Sequence, residues 1–245
     1  MSSLDVPLRL GEAARQKPAP SGRGRLVRRA WRAVLQLKLA LVDRRTYRSV
    51  VIEHVDGVPL VVLPDVFNPK LLRSGEFLVQ QLSRAELLPP GSSVLDLGSG
   101  SGAAGVAAAR RGCAVTAVDI NPSAVRCTRI NALLNEVHLD VRQGDLFEPV
   151  QTERFDVVLF NPPYYRGVPR DALDHAWRST DVPERFAAQL SAHLAPGGRA
   201  LVVLSSDGDP QRFLGSLGRN GLSNRIVASR DFTNEIMHVY EVRPC

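Results

Sequence analysis

The sequence predicts an α/β fold: a seven-stranded, mostly parallel sheet with helices on both faces. Three observations predict it. Short apolar runs alternate with helical patterns from about residue 93 to residue 219, the rhythm of parallel strands joined by helical crossovers. Two strand patterns then follow one another closely, as an antiparallel pair at a sheet edge does. A glycine-rich turn stands where the first run of the alternating series gives way to a helix, the junction at which open α/β sheets bind ligands.

Taken in order, residues 1–24 hold Pro18, Pro20, Gly22 and Gly24 among charges and read as a flexible basic lead. From Arg25 to about Val42, Leu26, Ala30, Trp31, Val34, Leu35 and Leu39 recur at helical spacing with arginines between them, a basic amphipathic helix. Such a helix either packs on the main domain with its arginines in water, or presents them to RNA, a ribosome or an acidic partner. Val50–Val55 and Val58–Leu63 are β-branched runs on either side of Asp56-Gly57, a hairpin signal because both turn positions need positive φ. Residues 25–64 therefore read as a helix and a hairpin ahead of a main domain over 65–245. A helix follows from Arg73 or Ser74 to about Ala85. Strands are predicted at Ser93–Leu97, Ala114–Asp119, Leu139–Gln143, Phe155–Phe160 and Arg199–Leu204, with Arg225–Ser229 and Ile236–Val242 as the terminal pair. Helices are predicted at Ala103–Arg111, Pro122–Leu134, Val182–His193 and Pro210–Arg219.

Bulk properties exclude several classes. The 245 residues suffice for one domain with an appendage and a sizeable core. Three cysteines, Cys113, Cys127 and Cys245, make no disulfide framework, and no CxxC spacing points to zinc, so no metal is expected and a reducing cytoplasm is the simplest compartment. No signal-peptide pattern and no run of about 18 apolar residues suggests a membrane. Residues 1–50 hold twelve Lys and Arg against three Asp and Glu, while the rest hold nineteen against twenty-two, so the net charge of +6 belongs to the N-terminal arm.

Val94-Leu95-Asp96-Leu97-Gly98-Ser99-Gly100-Ser101-Gly102 runs from strand into helix. Gly98, Gly100 and Gly102 let the backbone turn sharply against a ligand. Dinucleotide enzymes use a similar turn, but Asp96 at the strand end would repel a pyrophosphate and suit the cationic amino group of methionine. The cofactor indicated is S-adenosyl-L-methionine. Asp119, ending the next strand 21 residues after Gly98, can accept both ribose hydroxyl protons. Gly144-Asp145-Leu146, alone no more than a turn, follows the third consecutive strand and matches where enzymes that bind this cofactor hold the adenine, its amino group on Asp145 and a ring nitrogen on the Leu146 N–H. Asn121-Pro122 reads as a helix N-cap and first turn.

Phe155–Phe160 then delivers Asn161-Pro162-Pro163-Tyr164 at the ligand-binding edge of the sheet. The two prolines fix φ and remove two donors, leaving carbonyls as acceptors. The Asn161 side-chain oxygen and the Pro162 carbonyl can take both hydrogens of a planar NH2 and turn its nitrogen toward the sulfonium methyl, catalysis by positioning and electrostatics. Pro163 stiffens the loop, Tyr164 can lie against a flat acceptor, and Asn161 borders both acceptor and cofactor.

These motifs resemble those of the class I S-adenosylmethionine-dependent methyltransferases, whose sheet is Rossmann-like, and in particular the HemK-type protein-glutamine N5-methyltransferases that modify release factors. The resemblance covers roughly residues 47–205. Beyond the cofactor and catalytic motifs it includes Gly57-Val58-Pro59-Leu60, the Pro64-Asp65-Val66-Phe67-Asn68-Pro69 loop, and Asp174-His175-Ala176-Trp177, which is similar to the archaeal and eukaryotic branch. It implies transfer to a protein glutamine of a release factor or a ribosome-associated protein. Two departures concern substrate docking. The bacterial enzymes carry an acidic Pro-Arg-Pro-Glu-Thr-Glu-like segment where this chain has residues 68–76, and their N-terminal helical domain is longer. A planar exocyclic amine of an RNA or DNA base would fit the same tetrapeptide, with the basic arm as the nucleic-acid contact, as would a small amine or amide metabolite.

Overall fold

A computed structural model describes residues 49–70, 73–170, 173–232 and 235–245. The lead and the basic helix expected over residues 1–42 lie outside the described residues. Eleven strands are described, β1 (Val51–Val55), β2 (Val58–Val62), β3 (Ser93–Leu97), β4 (Ala114–Asp119), β5 (Leu139–Gln143), β6 (Phe155–Phe160), β7 (Tyr165–Arg166), β8 (Arg178–Ser179), β9 (Leu194–Ser205), β10 (Leu222–Asp231) and β11 (Ile236–Pro244). The described helices are α1 (Ser74–Gln81), α2 (Ala103–Ala109), α3 (Pro122–Leu134), α4 (Val182–His193) and α5 (Pro210–Arg219).

Seven strands form one sheet in the order β10-β11-β9-β6-β3-β4-β5. Strands β5, β4, β3, β6 and β9 are mutually parallel, and β11 and β10 close the edge antiparallel, as the alternation and its terminal break predict. This is the Rossmann-like sheet of the class I methyltransferases. The chain moves outward through β3, β4 and β5, then returns to lay β6 on the other side of β3. That reversal opens a crevice at the carboxyl ends of β3 and β6.

Successive residues of the central strands serve opposite faces. Val157 and Leu159 pack with Phe77, Val106 and Val125 under α1, α2 and α3. Val158 and Phe160 pack with Phe186, Leu190 and Leu217 under α4 and α5. Fully buried Phe186 lies 4.6 Å from the Phe160 ring and 5.9 Å from Phe147. Burial of one such ring contributes about 2–3 kcal/mol. Here it also anchors the residue immediately before Asn161.

The helix starts follow their local signals. Asn121 accepts from the Ser123 N–H and Asp209 from the Arg212 N–H, each before a proline in the first turn. The hairpin turns through Asp56 at φ 48° and Gly57 at φ 76°, and it packs against α3 through buried Asn131. The Asn131 amide accepts from the Val61 N–H and donates to the carbonyls of Val61 and Ser101.

Several boundaries differ from the sequence reading; the edge strand β10, for one, runs over Leu222–Asp231 where Arg225–Ser229 was expected. Helix α1 ends at Gln81, because the Leu82 N–H turns back to the Val79 carbonyl and buries Leu82, Leu87 and Leu88 in turns instead. Strand β9 begins at Leu194, which pairs with Phe155; Gly198 permits this, since a Cβ there would stand 2.8 Å from the Phe155 carbonyl. The short parallel pair β7–β8 was not foreseen from the sequence.

Candidate active site

The glycine turn is shaped from two sides. Gly98, Gly100 and Gly102 all have positive φ. The Gly98 and Ser99 N–H groups bond the Val118 carbonyl of β4, and Thr128 of α3 bonds the Gly100 carbonyl at 3.2 Å. Asp96, 5 % exposed, accepts from the Gly105 N–H at 2.8 Å, its one hydrogen-bond partner among the described residues. Burial pushes its pKa up from 3.8 to about 7, with the Gly105 N–H opposing and the Asp119 charge adding to the rise. Gly105 cannot be larger, because a Cβ would come 2.9 Å from Asp96 Oδ2 and 3.0 Å from Leu139.

Asp119 joins two loops, Oδ2 accepting from the Gly100 N–H and Oδ1 from the Asn121 N–H, each at 2.8 Å. Burial raises its pKa, against those backbone hydrogen bonds and the nearby His175. After β5, Asp145 Oδ2 accepts from Arg185 Nη2 at 2.8 Å, and both residues line the cleft. Leu146 follows at φ 50°, a strained conformation for leucine of the kind that gathers at ligand sites.

Across the crevice, β6 ends in Asn161. Its Oδ1 accepts from the Tyr164 hydroxyl at 2.8 Å, and its Nδ2 donates to Ser74 Oγ at 3.2 Å. The Tyr164 hydroxyl is thus bonded to the Asn161 amide, a constraint the sequence did not reveal. Burial raises the Tyr164 pKa, so the phenol stays protonated as a donor. Gly208 lies against this loop, where a Cβ would meet the Tyr164 carbonyl at 3.0 Å.

One cavity of about 240 Å³ brings these groups together: Asp96, Gly98, Gly100, Asp119, Asp145, Leu146 and Asn161 through Tyr164 all line it. Gly102 does not. It stands behind the wall as the N-cap of α2, where a Cβ would strike Thr128 at 2.8 Å, so its part is to seat α2 against α3. The side walls come from Phe67 and Trp177, in edge contact at 5.5 Å. Strands β7 and β8 hold Trp177 there through the Tyr165 N–H to its carbonyl at 2.8 Å. Ser74, Gly105, Thr128, Trp177 and Arg185 are site residues that the sequence reading missed. The Asp174–Trp177 resemblance was the nearest signal for one of them. Among the described residues, no group of three or more His, Cys, Asp or Glu could hold a metal ion, and no helix is long and apolar enough to cross a membrane.

Three separate carboxylates, a glycine turn and apolar walls suit a ligand with one cationic amine, a diol and a flat base. A buried Asp96 with no cation beside it among the described residues is the strongest sign of such a ligand. Fold and site together define a class I methyltransferase. The family model of the methyltransferase small domain matches residues 57–220, and the chain belongs to that family. It is an S-adenosylmethionine-dependent methyltransferase.

A provisionally named protein N5-glutamine methyltransferase of Methanocaldococcus jannaschii is 32% identical over 162 residues, covering 62% of this chain and 79% of that protein. The ribosomal RNA small subunit methyltransferase C of Alcanivorax borkumensis is 34% identical over 147 residues, covering 60% of this chain and 42% of that enzyme. Among solved structures, the 16S rRNA N2 methyltransferase of T. thermophilus, in complex with AdoMet and guanosine, aligns with a TM-score of 0.61 at 23% identity, over 80% of this chain and 50% of that one. The chain thus spans about half the length of these ribosomal RNA enzymes.

Proposed function

We propose that the enzyme methylates a planar NH2 group, that of a protein glutamine side chain, using S-adenosylmethionine. The arrangement of Asn161 carries this reading: it follows the last residue of β6 beside the glycine turn, and its Oδ1 is met by the Tyr164 hydroxyl. The carbonyl oxygen has a second lone pair for an acceptor N–H, and the Pro162 carbonyl is available for the other. Holding both hydrogens turns the nitrogen lone pair toward the cofactor site and weakens its conjugation. The cofactor supplies an electrophilic methyl group, and no strong general base is required of the protein.

In this reading Asp96 meets the cofactor's amino group, Asp119 its ribose hydroxyls, Asp145 and the Leu146 N–H its base, and Gly98 and Gly100 admit its close approach. Asp119→Ala is expected to weaken cofactor binding by about 1–3 kcal/mol, the scale of a lost charge-assisted hydrogen bond. Calorimetric titration reads this directly, and unchanged affinity would remove the ribose contact from the scheme.

The archaeal glutamine-methyltransferase relative supports the protein acceptor and is spanned over most of its length. The ribosomal RNA relatives and the basic arm favour a second reading, methylation of a base amine in RNA. Incubation of the enzyme with methyl-labelled cofactor and a fractionated extract separates the two. Label is expected in protein, recoverable as N5-methylglutamine; label confined to RNA would refute the glutamine reading.

A further inference from the structure

Two side-chain hydrogen bonds hold the Asn161 amide, one at each end. Asn161 Nδ2 donates to Ser74 Oγ at 3.2 Å, and the Tyr164 hydroxyl donates to Asn161 Oδ1 at 2.8 Å. Ser74 is fully buried, so water does not compete for these bonds.

The backbone holds Ser74 in place with unusual tightness. It is the first residue of α1, and Arg73 before it sits at φ 62°. Gly75 after it is pressed on the Pro69 turn, where a Cβ would come 2.7 Å from the proline ring. The Phe77 N–H closes the first turn on the Arg73 carbonyl at 2.7 Å. A left-handed non-glycine residue and a glycine without room for a methyl group are costly local choices, and both serve to deliver one hydroxyl to Asn161.

We propose that Ser74 is a positioning residue for methyl transfer, acting through the orientation of the Asn161 amide. An amide rotated by half a turn exchanges its oxygen and its NH2. It would then present a donor to the acceptor's N–H groups, which cannot use one. With Ser74 on its nitrogen and Tyr164 on its oxygen, the amide is tied at both ends in the orientation that offers Oδ1 as an acceptor. Donation from Nδ2 also polarises the amide and makes Oδ1 a stronger acceptor for the substrate. This inference rests on the reading that Asn161 Oδ1 holds the acceptor NH2.

The test compares Ser74→Ala, Tyr164→Phe, the double variant and the unaltered full-length chain. Initial rates of label transfer are read at saturating cofactor, with the extract fraction that accepts label from the unaltered enzyme as the probe. Each single variant is expected to lose about tenfold in rate, the scale of a disrupted buried hydrogen bond, while the cofactor dissociation constant stays within about twofold. The double variant is expected to be no slower than the slower single, because both release one amide. Multiplicative losses, or an unchanged rate in Ser74→Ala, would overturn the proposal. If Ser74→Ala does not fold, Ser74→Cys keeps the volume with a weak hydrogen bonder and must still lose rate with cofactor affinity retained. Asn161→Ala separates the two levels. If it is inactive while Ser74→Ala is normal, only the role of Ser74 fails; if it is fully active, the acceptor reading itself fails.

Discussion

Asn161→Ala should cut turnover by on the order of 10²–10³, the loss that follows removal of one preorganised hydrogen-bonding group from an active site, while cofactor affinity stays within a few-fold. The separation of the two effects comes from the geometry. The recognition groups assigned to the cofactor, Asp96, Asp119 and Asp145, lie at the ends of β3, β4 and just beyond β5, and none of them bonds Asn161. The described partners of the Asn161 side chain are Tyr164 and Ser74, neither of them among those cofactor groups. Truncation is therefore expected to remove the oxygen proposed to hold the acceptor and to leave the cofactor groups in place. Paired measurement of turnover with labelled cofactor and of cofactor binding by calorimetry decides the matter. A collapse of binding in step with turnover would make Asn161 a cofactor ligand and leave the acceptor to other groups.

What the sequence disclosed about this site, and what it did not, divides by distance along the chain. Asp96, Asp119, Asp145 and Asn161 each end a strand or follow one directly, and apolar runs mark strand ends clearly. The starts of α3, α4 and α5 were equally legible, because proline follows Asn121, Val182 and Asp209 at the first or second helical position. Partners from remote segments were not legible. Ser74 reaches Asn161 across 87 residues, Arg185 reaches Asp145 across 40, and Asn131 holds Val61 across 70. Nothing in the local pattern of a serine opening a helix, or of an arginine on an amphipathic face, signals such a partner. The same limit explains Gly102. Its sequence neighbours suggested a ligand contact, and the three-dimensional neighbour that requires glycine is Thr128. Strand β9 begins five residues before the Arg199 expected from the sequence, because Pro196-Gly197-Gly198 has the composition of a turn while the pairing of Leu194 with Phe155 is a tertiary matter.

Cofactor binding should be pH-dependent, and Asp96 should be the cause. Its pKa stands near 7 in place of 3.8 because burial disfavours the carboxylate. A cationic amino group arriving beside it would favour the ionised form and drive that pKa back down. Binding at or below pH 7 then releases a proton. Affinity should fall about tenfold between pH 8 and pH 6, following the ionised fraction of the free enzyme. Calorimetry in buffers of different ionisation enthalpy counts the proton. The sign for the ligand-free fold is opposite. A carboxyl raised from 3.8 to about 7 holds its proton longer in the folded than in the unfolded chain. It therefore lowers stability progressively as pH rises through that window, by up to on the order of 4 kcal/mol. Asp96→Asn keeps an oxygen for the Gly105 N–H and removes the charge. It should weaken cofactor binding by on the order of 10²-fold or more at pH 8 and flatten the pH dependence. The same variant should melt at or above the parent temperature at pH 8 without cofactor. A lower melting temperature with binding unchanged would place the value of this carboxylate in the fold, whereas the opposite pair of results marks a group whose burial is a cost to the empty protein that its ligand offsets.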